Sequence, residues 1–300
     1  MEIRNWSYEE YPSFDEPVEG VVHLPTTGDE AGTYTWTNVP YATVDGTTLH
    51  LQIIIPASRN RNNADLKYPC LVYVQGSAWF AQNLCAKIGM LARFAEKGYV
   101  VAIVEYRHSG IAPFPSMPLD TRNAIRFMKL HAAEYKVDQN RVYVGGDSSG
   151  GHAAMFSQIF TDDADTDLYH GVSADVRGII SFYGASSMML DDGMPSTPNH
   201  HLPDSPEGKA MGGVNLREHP ELCEYMSVEC NVHADTPLPK VLMFHGSKDR
   251  TINPRVSVVI YQKLKSLGKD VQLYILDGAD HGGPEFWDDQ IITIIEAFMQ

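Results

Sequence analysis

The chain has 300 residues, 43% apolar and 20% charged, which is enough to bury one large α/β domain or two small ones. A formal net charge of −15 at pH 7 repels phosphate backbones and anionic bilayers, which argues against nucleic-acid and membrane partners. Four cysteines, Cys70, Cys85, Cys223 and Cys230, with no C-x-x-C pair among them, exclude a disulfide scaffold and a zinc or redox motif.

Short apolar runs alternate with segments of helical period along the chain. The runs are Leu49 to Ile55, Cys70 to Gln75, Val100 to Glu105, Arg141 to Val144, Gly178 to Tyr183, Val241 to His245 and Val271 to Leu276. Most are apolar at successive positions, as parallel strands buried on both faces require. Between them, one-sided stripes predict helices: Ile88, Leu91, Ala92 and Ala95; Ala124, Phe127, Met128 and His131; Val256, Val259, Ile260, Lys263 and Leu264; Ile291, Ile294, Ile295 and Phe298. The fold class is therefore α/β, a mostly parallel doubly wound sheet whose first strands, near Thr33 to Ile55, form antiparallel edges. From Ser186 to Thr236 the rhythm breaks into Pro, Gly, Asp, His and Met, with short helices predicted at Pro206 to Met211 and Pro220 to Met226. A connection this long points to function. It reads as a cap-like insertion, residues 186–236, within a single domain of residues 1–300. The N-terminal residues lack the apolar core of an export signal, and no stretch approaches a membrane span, so a soluble cytoplasmic protein is expected.

Gly146-Asp147-Ser148-Ser149-Gly150 follows a predicted strand and precedes Gly151-His152-Ala153-Ala154-Met155-Phe156, which can start a helix. This fits G-x-S-x-G in strand-turn-helix context, where glycines let a nucleophile project from a tight turn. The next N–H, of Ser149, would sit at a helix N-terminus and favour an oxyanion. The alternative is a Gly/Ser turn that binds nothing. A serine hydroxyl needs a base, and the base an orienting acid. His281, in the loop after Val271 to Leu276, is the candidate base; His152 is expected to pack or cap, and His245 to be a satisfied core histidine. Asp249, just past Val241 to His245, is the candidate acid, in the chain order Ser, Asp, His. Asp277 is the runner-up, and Asp280 reads as a loop cap. Gly76-Ser77-Ala78-Trp79-Phe80 follows another strand where a second oxyanion donor is needed, although an ordinary βα turn has the same look. Arg107 is expected to brace loops and Asp120 to cap a helix. Trp79, Met188, Met189, Phe286 and Trp287 are candidates to wall an apolar pocket, with Trp79, Met188 and Trp287 the substrate contacts. The insertion is otherwise polar, apart from Met188, Met189 and Leu190.

Together with Asn38-Val39-Pro40-Tyr41, Gln75-Gly76-Ser77-Ala78-Trp79, Glu105-Tyr106-Arg107, Phe114-Pro115, Ser205-Pro206-Glu207-Gly208, His245-Gly246-Ser247-Lys248-Asp249 and Gly278-Ala279-Asp280-His281-Gly282-Gly283, these motifs make the chain resemble α/β-hydrolase esterases. It is similar to the hormone-sensitive-lipase-like group and more so to the bacterial acetyl-xylan/feruloyl esterases of BD-FAE type. The resemblance implies Ser148 as nucleophile, Asp249 as acid and His281 as base, with the N–H groups of Ser77, Ala78 and Ser149 as oxyanion donors; Gln75-Gly76-Ser77-Ala78 stands where such enzymes carry H-G-G-G. It implies a cofactor-independent, metal-free carboxylic ester hydrolase that removes acetyl or feruloyl groups from plant-derived carbohydrates, so the partner is a small-molecule or oligosaccharide ester. A serine peptidase of the same fold, a general short-chain carboxylesterase and a catalytically silent binding protein are the rival readings; the oligomeric state is not legible.

Overall fold

The computed structural model describes residues 3–58, 66–160, 168–189 and 195–300. Leu190 and residues 191–194 of the insertion fall outside them. Eight strands make one sheet: β1 (Gly32–Val44), β2 (Thr47–Ala57), β3 (Tyr68–Val74), β4 (Val100–Val104), β5 (Val137–Asp147), β6 (Gly178–Phe182), β7 (Lys240–Gly246) and β8 (Val271–Leu276). The order across the sheet is β1-β2-β4-β3-β5-β6-β7-β8. β1 and β2 are antiparallel to each other, β2 is antiparallel to β4, and all later pairs are parallel. This is the arrangement expected of an α/β-hydrolase sheet, with the antiparallel β1–β2 pair at one edge and β2 alone running against the rest.

Strand periodicity assigns the core. In β4, Val100, Ala102 and Val104 enter one hydrophobic cluster while Val101 and Ile103 enter the other, because successive side chains leave opposite faces. α1 (Ile88–Glu96) and α8 (Asp289–Phe298) cover the second face through Leu91, Phe94, Ile291, Ile292 and Ile295. α2 (Ser116–Leu130), α3 (Ser149–Ile159) and α7 (Arg255–Ser266) cover the first through Met117, Ala124, Ile125, Met128, Phe156 and Ile260. The stripe expected to run on to His131 ends one residue early: His131 caps α2, and its ring stacks on Phe127 at 4.2 Å.

Between β6 and β7 lie the short helices α4 (Pro206–Ala210), α5 (Pro220–Tyr225) and α6 (Val228–Asn231). Ser205 caps α4 by accepting the Gly208 N–H, with proline at the first helical position. Met226, Val228 and Val232 are buried in the main core, so the insertion is rooted in the sheet layer beside the C-terminal ends of the strands. Among the described residues, no helix is long and apolar enough to cross a membrane.

Candidate active site

β3 and β5 are hydrogen-bonded neighbours with Val74 level with Gly146, so the turns that follow them meet. After Asp147 the chain folds sharply at Ser148, which has φ 51° and ψ −124°, and α3 starts at Ser149. A non-glycine residue in this region costs about 1–3 kcal/mol and persists only where its surroundings fix it. They do so here: Ser148 N–H donates to Phe182 O at 2.9 Å, and Ser148 O accepts from His152 N and Ala185 N, both at 3.2 Å. The flanking glycines are required by proximity. A Cβ on Gly146 would lie 2.6 Å from Val74 O, and one on Gly150 would run into the same carbonyl.

β7 and β8 deliver the other two groups. Gly246 lets the turn after β7 touch the loop after β8, where a Cβ would collide with the Ala279 and Asp280 carbonyls. The two loops are laced by Lys248 N–H to Ala279 O at 2.9 Å and Gly278 N–H to Ser247 Oγ at 2.8 Å. His281 Nδ1 lies 2.7 Å from Asp249 Oδ2, and its Nε2 lies 2.9 Å from Ser148 Oγ. Asp249 Oδ1 accepts from Thr251 N at 2.9 Å and Ile252 N at 2.8 Å. Burial pushes the Asp249 carboxyl up, but hydrogen bonds from His245, His281 and the Ile252 amide outweigh it and hold the group well below the usual carboxylate range.

The other candidates resolve by contact. Asp280 accepts the His281 backbone N–H at 2.8 Å and binds Arg250 through its amide at 3.0 Å and Nε at 2.7 Å, so it pins the loop and leaves the ring alone. Those bonds lower it to about 2. Asp277 is exposed. His152 is fully buried. Its Nε2 lies 3.1 Å from Met226 O, and its Nδ1 accepts the Trp79 indole N–H at 3.4 Å; burial lowers it to about 4. Arg107 is buried, gripping Asp120 at 3.0–3.2 Å and reaching Asp45 at 2.8 Å. Asp120 is therefore no N-cap: α2 starts four residues earlier at Ser116, and the Asp120 carboxylate is Arg107's buried counter-ion.

Two further expectations need correction. Ser77 N–H donates to Ser149 Oγ at 3.0 Å, while Ser77 Oγ sits 2.8 Å from the Tyr106 hydroxyl and donates to Phe80 O at 2.6 Å. Ser77 is thus occupied in fastening its turn to the elbow and has no N–H to offer an oxyanion. Ala78, with φ 54°, carries an N–H that no acceptor occupies among the described residues. Ser149 N–H opens α3. Trp79 and Trp287 do not wall a pocket either. Trp79 is 1% exposed and packs edge-on to His152 at 5.4 Å; Trp287 is 4% exposed and stacks on Phe182 at 5.4 Å. Phe286 is buried against Tyr183 at 4.6 Å. Met188 does line a cavity of about 230 Å³ under the insertion, with His200, Glu207 and Ile252, and Met189 is exposed.

Sequence reasoning missed a second buried carboxylate. Asp147 Oδ1 accepts from the Tyr73 hydroxyl at 2.7 Å and Gly76 N–H at 3.1 Å; Oδ2 accepts from Lys87 Nζ at 2.7 Å and the Tyr183 hydroxyl at 3.4 Å. It ties the turn after β3 to the elbow. Burial and this carboxylate push the Tyr73 and Tyr183 hydroxyls well above their ordinary range. Its place directly before Ser148 in the motif was the available signal; nothing in the sequence marked Lys87.

The fold is shared with solved esterases. A truncated carbohydrate esterase from gut microbiota superposes with a TM-score of 0.74 at 24% identity over 91% of this chain and 97% of that one. A butyrate-bound esterase 2 from Thermogutta terrifontis gives 0.71 at 22% identity over 88% and 93%. By sequence, the chain is 26% identical to esterase LipC of Mycobacterium tuberculosis over 71% of this chain and 53% of LipC. It is 26% identical to isoprenylcysteine alpha-carbonyl methylesterase ICME of Arabidopsis thaliana over 79% and 57%. The chain thus spans about half the length of the curated relatives it matches. The BD-FAE family model matches residues 51–264, well over half of the chain, and the protein therefore belongs to the BD-FAE family of the α/β-hydrolase fold.

Proposed function

We propose that this protein is a serine carboxylic ester hydrolase that removes short acyl groups, acetyl or feruloyl, from carbohydrate alcohols. The observation that carries the reading is the unbroken line from Ser148 Oγ through His281 to Asp249, at 2.9 and 2.7 Å, on a strained strand-to-helix turn. An ionised Asp249 only accepts, so the His281 proton sits on Nδ1 and leaves Nε2 to take the proton of Ser148. Ser148 Oγ then bonds to the ester carbonyl carbon, and the N–H groups of Ser149 and Ala78 hold the resulting oxyanion. The His281 imidazolium protonates the departing alcohol oxygen. Water repeats the cycle on the acyl-enzyme and releases the acid.

The carbohydrate half of the proposal draws on the gut carbohydrate esterase to which the chain is structurally similar and on the polar composition of the insertion, which suits hydroxyl-rich alcohols better than fatty chains. The short-acyl half draws on the butyrate-bound esterase neighbour. Ser148→Ala tests the chemistry: kcat falls by about 10⁴-fold or more with the fold intact, and a fully active variant refutes it. The substrate assignment is tested by kcat/KM across acyl lengths C2 to C12 on aryl esters, beside acetylated and feruloylated xylo-oligosaccharides and an isoprenylcysteine methyl ester. Preference for C2 to C4 and turnover of the acylated sugars supports the proposal; rates that climb with chain length, or a strong preference for the methyl ester, overturn it.

A further inference from the structure

β7 delivers two groups to the site. Asp249 follows it, and His245 is its penultimate residue. The His245 ring is fully buried. Its Nε2 lies 2.9 Å from Ile252 O and 3.0 Å from Asp249 Oδ2. Carbonyl and carboxylate oxygens only accept, so a ring nitrogen this close to both carries a proton. The other nitrogen, Nδ1, is 2.7 Å from the Ser257 hydroxyl in the first turn of α7. With the proton on Nε2, the Ser257 hydroxyl donates to Nδ1, so the two oxygens at Nε2 set the tautomer and the serine follows it.

Asp249 Oδ2 therefore faces two imidazole N–H groups, His281 at 2.7 Å and His245 at 3.0 Å, while Oδ1 is filled by the Thr251 and Ile252 amides. We propose that His245 is a positioning residue for the hydrolase: its Nε2–H holds the Asp249 carboxylate in line with His281 and closes the Asp249–Ile252 turn by binding both ends. The inference rests on the serine-hydrolase reading above. A third consequence is electrostatic. By drawing charge from the carboxylate, His245 limits how strongly Asp249 stabilises the His281 imidazolium that forms in the reaction. The other groups around His281 do not substitute for it. Tyr183 presents its ring edge-on at 4.7 Å with its hydroxyl turned to Asp147, Ser148 meets Nε2, and Asp280, paired with Arg250, takes only the backbone N–H.

The test uses the full chain with an aryl acetate. His245→Leu removes the donor, whereas His245→Gln places an amide N–H near the Nε2 position. The leucine variant is expected to lose about 10- to 100-fold in kcat, the scale of one hydrogen bond to a charged group, with KM changed less than about 3-fold. Its acidic limb in kcat/KM against pH moves to higher pH, because a less-shared Asp249 charge favours imidazolium. The glutamine variant recovers most of the rate and returns the limb toward wild type. A leucine variant with wild-type kcat and limb overturns the proposal, and so does a glutamine variant as impaired as leucine, since the ring would then serve only packing. If the leucine variant does not fold, His245→Asn takes its place: it keeps a polar side chain that ends short of the Nε2 position, and it is expected to lower kcat with the same direction of limb shift. An unchanged His245→Asn profile overturns the proposal too. Ser148→Ala separates the two ideas: an active Ser148→Ala enzyme sinks the serine mechanism, whereas an inactive one beside an indifferent His245→Leu sinks only the role of His245.

Discussion

Asp147 is the residue whose removal tests most sharply how the elbow and the oxyanion turn are held together. Its carboxylate joins four donors from four places: Tyr73 on β3, Gly76 in the turn after it, Lys87 before α1 and Tyr183 after β6. The Lys87–Asp147 pair is mostly buried, with side chains 19% and 6% exposed. In Asp147→Asn the amide oxygen can still serve Tyr73 and Gly76, but its NH₂ group then faces the Lys87 ammonium and the Tyr183 hydroxyl. Breaking a buried pair from one side costs about 3–5 kcal/mol. Lys87 has a partial route to water, so the lower end applies. About 3 kcal/mol corresponds to a fall in Tm of about 6–12 °C for a chain of this size. The rate should follow the Gly76 anchor: about 10-fold lower kcat for asparagine, and about 100-fold for Asp147→Ala, which releases Gly76 and lets the Ala78 N–H drift from the oxyanion. Lys87→Met should cost less, about 1–3 kcal/mol, since three neutral donors still solvate the carboxylate. The double variant Asp147→Asn/Lys87→Met should be more stable than the sum of the singles by about 2 kcal/mol, measured by chemical denaturation as a double-mutant cycle. An Asp147→Asn enzyme with Tm within 2 °C of wild type and unchanged kcat, or a cycle with no coupling, refutes the argument.

Asp249→Asn should lower kcat by about 10⁴-fold because the amide favours the wrong His281 tautomer, while Asp280→Asn and Asp277→Asn lose far less; initial rates with an aryl acetate decide it, and a crippled Asp277→Asn would mean the acid is misassigned. His152 is held neutral in the fold at about 4 against an ordinary 6.5, so the unfolded chain binds the extra proton between these values. Stability is then complete above pH 6.5 and falls by about 3 kcal/mol as pH drops to 4, and His152→Gln should flatten this part of a urea-midpoint-against-pH curve. Asp249 and Asp280 both sit below the ordinary carboxylate value, so their stabilisation is complete above about pH 4 and is lost as pH falls toward 2; Asp280→Asn should reduce the acid slope in that range. Gly150→Ala should yield no soluble enzyme, because its methyl would occupy the Val74 carbonyl.

The sheet was legible because parallel strands buried on both faces leave an unbroken apolar run, and Val100 to Val104 or Gly178 to Phe182 admit no other reading. β5 was read too short. Its first half pairs only once, Val137 with Tyr68, and Asp138 to Arg141 are polar and partly or fully exposed, so no periodicity announced it. The elbow could be read because backbone crowding demands glycine at fixed offsets. The oxyanion turn could not be divided among its amides, since which N–H remains open depends on a side chain 72 residues away, Ser149 Oγ, taking the Ser77 proton. The aromatic residues flanking the motifs misled for a related reason: Trp79 and Trp287 lie near the site in sequence, but a large ring is most stable wherever a sheet face needs covering. Lys87 escaped notice because its partner comes from another element, and His245, read as a satisfied core histidine, is one, but its tie to Asp249 was not legible.

Two buried carboxylates stand close to Ser148 and His281, and their donors explain why only one suits proton chemistry. Asp147 has a full cation, Lys87, on one oxygen. Its charge is already balanced, so a second cation nearby would gain little from it, and its remaining partners are hydroxyls and an amide that do not change charge in the working range. Asp249 has no such cation among the described residues: its donors there are two amides and two imidazoles. These solvate the carboxylate enough to keep it ionised despite burial, yet, on the proposed mechanism, leave its negative charge uncompensated until His281 takes a proton from Ser148. On that mechanism the imidazolium would supply the missing positive charge at the moment the oxyanion appears, and the pair would be neutral only in that state. Placing a lysine next to Asp249 would stabilise the resting protein and weaken this difference, whereas on the proposal above the His245 Nε2–H orients the carboxylate through one hydrogen bond.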